Sequence, residues 1–108
     1  MEIFGYDGEN FKVAMQFGAW KIGILRYGDR FCKYNCKERH LETDEAFILL
    51  EGQAILYEEE NCYEMEKNKI YNVKKGLWHH IVVTEGTTVL VVENSDTSAE
   101  NTERRYFS

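Results

Sequence analysis

Between Phe11 and Asn94 the chain never runs more than about a dozen residues without a turn signal, and this spacing limits the fold more than any other feature. Gly, Asn or Asp recur at Tyr27-Gly28-Asp29, Glu51-Gly52-Gln53, Glu59-Glu60-Asn61, Lys67-Asn68-Lys69, Lys75-Gly76 and Glu85-Gly86. Between them lie short runs rich in β-branched and aromatic residues: FKVAMQF, WKIGILRY, AFILL, AILYE, KIYNV, HHIVVT and TTVLVVE. No segment sustains an apolar period of 3.6, so no major helix is expected. Many short strands in one chain predict an all-β fold of two packed sheets or a closed barrel, with about eight to eleven strands. The chain contains no proline, which leaves Gly, Asn and Asp to make the turns.

Two of these runs, AFILL and VLVV, are apolar at every position. A strand of that kind is covered on both faces, one by the domain interior and the other by a second sheet or a second chain. A homodimer through the outer face is the expectation. A length of 108 residues suits one domain with one core. The strands place that domain at residues 1–94. Residues 95–108, SDTSAENTERRYFS, are polar and aperiodic until Tyr106 and Phe107, and read as an arm that docks by its aromatic end.

A net charge of −6 argues against nucleic acid as a partner, since a phosphate backbone calls for clustered Lys and Arg. The apolar runs are far shorter than the roughly 20 residues of a membrane-spanning helix. The opening MEIFGYDGEN shows no basic region followed by an apolar stretch, so a cytoplasmic location is expected. Three cysteines, Cys32, Cys36 and Cys62, then read as reduced thiols. In an extended segment Cys32 and Cys36 would stand about 13 Å apart, beyond disulfide reach. Cys32, Cys36 and His40 share a parity and form an alternative soft-metal set, against which stands the simpler reading of packed or idle thiols.

The stretch ERHLETDEAFILLEG, Glu38 to Gly52, loads His40, Glu42, Asp44 and Glu45 onto the start of a buried strand. His79 and His80 open another strand after the turn KKGLW. Across a barrel interior two such strand starts bring one or two imidazoles and a carboxylate to a common point. Two histidines and one carboxylate are a ligand set for Fe(II), and related mixtures hold Zn, Mn or Ni. Singly, each of these residues reads equally as a polar strand end or a solvated acidic loop.

Their order carries more. Glu45 is followed after six residues by Gly52, and Lys74-Lys75-Gly76-Leu77-Trp78-His79 places a histidine three residues beyond a turn glycine. In these two motifs residues 20 to 94 resemble the cupin superfamily, with Lys74 standing where the family has proline and one of its two paired histidines replaced. His40 fits the second of that pair, with Glu38 at the place of the first. A second alignment makes His40 the first and Glu42 the substitute for the second, at the expense of a one-residue gap.

The resemblance implies a jelly-roll barrel, a double-stranded β-helix of the cupin type. It further implies a divalent transition metal (Fe, Mn, Zn or Ni) held by His40, Glu45 and His79, with Glu38 or Glu42 completing the shell or acting as general base. Trp78, Tyr71 and Tyr57 are then expected on the cavity wall. The ligand would be a small polar molecule such as a sugar, a carboxylic acid or a keto compound, and the chemistry isomerisation, lyase or oxygenase. The alternative is a binding or sensing module without metal or turnover. Alternation along the strand sends Ile81 and Val83 inward with His79, and points His80 outward to solvent or a partner subunit.

Overall fold

The computed structural model describes residues 1–107. Ten strands follow one another: β1 (Phe11–Phe17), β2 (Trp20–Arg26), β3 (Cys36–His40), β4 (Glu45–Glu51), β5 (Ala54–Glu58), β6 (Asn61–Glu64), β7 (Tyr71–Val73), β8 (His79–Val83), β9 (Thr88–Asn94) and β10 (Thr102–Tyr106). Among the described residues the one helical element is a 3-10 turn, Ala99–Asn101, capped by Ser98. No helix there is long and apolar enough to cross a membrane.

The strands form two five-stranded antiparallel sheets, β1-β2-β9-β4-β7 and β10-β3-β8-β5-β6. Apart from the β1–β2 and β5–β6 hairpins, neighbours in each sheet are distant in sequence, as they must be when a chain crosses repeatedly from one layer to the other. Alternation fills the space between the layers. Phe47 and Leu49 of β4, Val89 and Val91 of β9, Leu56 of β5, and Ile81 and Val83 of β8 all point inward and are 0–4% exposed. Each such side chain stabilises the fold by about 1.5–3 kcal/mol on burial.

The same alternation turns Ile22, Ile24, Ala46, Ile48, Leu90 and Val92 to the outer face of the first sheet. Ile22, Val92 and Ala46 lie in one cross-strand row, and Ile24, Leu90 and Ile48 in the next. All six are only half-buried.

Residues 95–107 do more than dock by an aromatic end. Thr102 to Tyr106 pair residue for residue with His40 to Cys36, forming the edge of the second sheet. Tyr106 and Phe107 remain 69% and 44% exposed. No apolar alternation announces this strand because the inward side chains, Thr102 and Arg104, meet polar partners instead of the core. Charged side chains also suit an edge that must not pair further.

The glycine separated from Glu45 by six residues answers to a close approach. Gly52 sits at φ +91°, and a Cβ there would lie 2.2 Å from Thr87 Oγ1 and 2.5 Å from Thr87 Cα. Gly76 has φ +83° but open space around it. Gly52→Ala should therefore cost about 2–4 kcal/mol, combining backbone strain with overpacking, whereas Gly76→Ala should cost only about 1 kcal/mol. Urea denaturation of the two variants tests this, and equal losses would mean that the contact with Thr87 is relieved cheaply.

Candidate metal centre

Strand ends place the chemistry. His40 closes β3, Glu45 opens β4 and His79 opens β8, so all three reach the same mouth of the barrel. Glu45 belongs to the first sheet and both histidines to the second. The Oε1 atom of Glu45 lies 3.0 Å from His40 Nε2 and 2.8 Å from His79 Nε2. One buried oxygen thus serves two imidazoles. Glu38, which shares the inward parity of β3 with His40, brings Oε1 to 3.7 Å from His40 Nε2.

A further layer orients these groups. The Nδ1–H of His79 donates to the Leu77 carbonyl at 3.1 Å, and His40 Nδ1 meets Thr102 Oγ1 at 2.9 Å. Arg104 directs both Nε and Nη2 at Glu38 Oε2, at 3.0 and 2.6 Å. Two of these three orienting groups come from β10. Glu93 of β9 completes the arrangement: one step beyond the Ala46–Val92 pair, it stands beside Glu45 on the inner face. It is 8% exposed, and its Oε2 has no hydrogen-bond partner.

The charges follow from these contacts. Burial opposes ionisation of Glu45, but hydrogen bonds from His40 and His79 and their charge outweigh it and hold the carboxyl down at about 2. Burial likewise opposes protonation of His40 and His79, yet the Glu45 carboxylate raises both above the ordinary histidine value. Glu93 is pushed up to about 7, first by burial and then by the neighbouring Glu45 carboxylate.

The cavity these groups line has a volume of about 200 Å³, with Phe11, Leu25, Phe31, Phe47 and Val91 as apolar wall and Arg30 and Arg104 as cations. The other sequence-predicted residues stand elsewhere. Glu42 is exposed and accepts from Asn101 Nδ2 at 3.4 Å, away from the cavity. Trp78 precedes an inward residue and so faces out, where Lys37, Arg39 and Arg105 lie 4.7–5.4 Å from its ring. Tyr57 alternates with the buried Leu56 and stacks on Tyr34 at 4.1 Å. Tyr71 packs against the core at another level, its hydroxyl accepting the Glu66 N–H.

His80 turns away from Glu45, as alternation requires, but it is neither exposed nor free for a partner subunit. The segment before β3 covers it: Phe31 and Tyr34 stack on the ring, Nε2 donates to the Lys33 carbonyl at 3.2 Å, and Cys36 Sγ lies 3.8 Å from Nδ1. All three cysteines are free, with Cys32 and Cys62 exposed. Cys32 Sγ is directed at the Asp29 carbonyl, so no site gathers Cys32, Cys36 and His40.

The residues present fit a divalent metal. Once His79 Nδ1–H is donated to Leu77, a neutral ring offers only a lone pair at Nε2, and that lone pair points at an oxygen that also only accepts. Such a contact calls for a shared proton or a cation. Donor atoms of Glu38, His40 and His79 lie within 4.8 Å of one another, and so do those of His40, Glu45 and Glu93. A buried pair of adjacent carboxylates makes the same demand for positive charge.

No protein-family model matches the sequence, and no curated protein matches it. Solved structures do. A single-residue variant of Streptomyces PAC13 with uridine superimposes with a TM-score of 0.75 at 7% identity, over 96% of this chain and 85% of that one. Another Pac13 structure, with the same TM-score and identity, describes that protein as a nucleoside dehydratase. KdgF from a Halomonas species matches with a TM-score of 0.67 at 9% identity, over 86% of this chain and 87% of that one. A cupin-2 domain containing protein from Shewanella frigidimarina matches with a TM-score of 0.66 at 16% identity, over 82% and 84%. At these identities the likeness shows the fold, which is the cupin type of β-barrel.

The electrostatics set a pH dependence for the metal-free protein. Glu45 contributes stability that is present above the ordinary 4.5 and lost as pH falls toward about 2. His40 and His79, raised by Glu45, contribute stability present below 6.5 and lost as pH rises through their folded values. Glu93 acts in the same sense, its contribution fading as pH rises from 4.5 through about 7. His80, lowered by burial, acts oppositely below 6.5. Three groups against one predict a higher melting temperature near pH 5.5 than near pH 8 for protein treated with chelator. Differential scanning calorimetry checks this, and added metal should raise stability most at the alkaline end, where it does not compete with protons for the imidazoles.

Proposed function

We propose that this cupin-fold chain holds one divalent transition metal (Fe, Mn, Zn or Ni) with His40, His79, Glu45 and Glu38, and offers it to a small polar molecule in the barrel cavity. One observation carries the reading: two imidazole Nε2 atoms converge on a single buried carboxylate oxygen while the far nitrogen of His79 is already committed. When bound, the metal would supply a Lewis acid able to polarise a carbonyl or hydroxyl oxygen.

The chain's own residues do the rest. Arg104 holds Glu38 by Oε2 and leaves Oε1 free to complete the shell or to take a proton. Phe31, Phe47 and Val91 keep water from the reacting group, and Glu93 lines the same cavity with a carboxyl that has one buried oxygen without a partner. A sugar, carboxylic acid or keto compound fits such a cavity, and isomerisation, lyase or oxygenase chemistry fits such a centre. The fold-level likeness to Pac13 and KdgF supports a small-molecule ligand and, through the nucleoside dehydratase, a lyase among these.

A second reading, a binding module without metal, rests on the same triad: two imidazolium rings would satisfy Glu45 as a metal would. Elemental analysis of the purified chain separates them, with about one metal per chain expected. His79→Ala should lose that metal. His80→Ala should keep it while lowering stability by about 2 kcal/mol, through the lost stacking and hydrogen bond. Wild-type protein that stays metal-free after reconstitution would remove the first reading.

The outer rows Ile22-Val92-Ala46 and Ile24-Leu90-Ile48 support a homodimer formed sheet to sheet, which a twofold axis makes self-complementary. Light scattering should give twice the 12.7 kDa chain mass, and Ile48→Glu should halve it with the strand content kept. A wild-type mass of one chain would end the dimer proposal.

A further inference from the structure

The cavity holds two groups outside the proposed ligand set of His40, His79, Glu45 and Glu38. Arg30 lines it beside the ligand histidines and, among the described residues, enters no ion pair; its guanidinium lies only over the Phe31 ring, 4.9 Å from the centroid. Arg104, the other cation there, is occupied by Glu38. Glu93, more than nine-tenths buried, supplies the single buried side-chain oxygen without a hydrogen-bond partner among the described residues. A free guanidinium is a planar fork of donors that matches a carboxylate. A buried carboxyl oxygen without a donor matches a hydroxyl, because leaving it unpaired is costly and a ligand O–H removes that cost.

We propose that the ligand of this cavity is a small hydroxy acid, its carboxylate taken by Arg30 and its hydroxyl donated to Glu93 Oε2. This deepens the reading of the cavity given above and rests on it. Size and charge both narrow the class. A volume of about 200 Å³ is below the roughly 300–1,000 Å³ of pockets for drug-sized molecules, so the carbon skeleton is short. Three carboxylates, Glu38, Glu45 and Glu93, already line the space, so a single ligand charge is tolerated better than the two of a phosphate monoester. Phe47 and Val91 give the skeleton an apolar wall.

The test uses the full chain loaded with manganese and three ligands of nearly equal size: lactate, lactamide, which lacks the negative charge, and propionate, which lacks the hydroxyl. Calorimetric titration should find lactate binding at least about tenfold tighter than either analogue. Arg30→Gln, at an exposed position, should erase the preference for lactate over lactamide and keep that over propionate. Glu93→Leu should do the reverse. Equal affinity for the three ligands overturns the proposal. So does a ranking unchanged by Arg30→Gln, which would mean chelation by the metal alone. Manganese content is measured in the same samples: stoichiometric metal without the ranking sinks the hydroxy-acid assignment alone, whereas the ranking without bound metal sinks the metal reading alone.

Discussion

The two sheets meet at a carboxylate. Glu45 stands on the first sheet, His40 and His79 on the second, and a single oxygen accepts from or shares a cation with both rings. Deeper in the barrel the facing strands meet through apolar side chains, whose contacts are non-directional and tolerate sliding. A hydrogen-bonded or metal-bridged contact at 2.8–3.0 Å does not. The mouth of the barrel is therefore where the relative position of the sheets is set, and the cavity keeps its shape because its chemistry also closes it. Removing either imidazole would leave a buried carboxylate short of its partners, which couples the integrity of that end to the site.

Much of this was legible in residue order. Strand runs between turn residues marked seven of the nine strands before β10, all but β3 and β6, and the inward parity of Ile81 and Val83 followed from alternation once the cupin resemblance had turned His79 inward. The glycines of the two motifs proved to be positions with positive φ, Gly52 by necessity of contact with Thr87. Other residues misled through nearness in sequence. Trp78 adjoins His79 and Tyr57 adjoins Leu56, and adjacency on a strand means opposite faces, so both aromatics belong outside. Glu42 lies in the bend between β3 and β4, where no strand turns it inward. Glu93 was not singled out in the sequence, although it shares a parity with Val89 and Val91, and that parity was the available signal.

The residues hardest to read were those of β10. A strand is recognised by apolar alternation, and alternation is apolar only when the inner face meets a core. Here the inner face meets a site. Thr102 and Arg104 address His40 and Glu38, so the segment looks like a solvated arm to any pattern based on hydrophobicity. His80 misled in the opposite direction: its outward parity suggested exposure, but the segment with Phe31 and Tyr34 folds back across it.

The position of β10 also orders events in time. Glu38, His40, Glu45, His79 and Glu93 all precede it in the chain, so each is synthesised before the side chains that aim two of them. A nascent barrel that has emerged only as far as β9 carries the donors without Thr102 or Arg104, its imidazole and carboxylate free to swing. Ions met at that stage would be held loosely and exchange quickly. For the metal proposed above, selection among ions would then fall to the moment the closing strand pairs with β3.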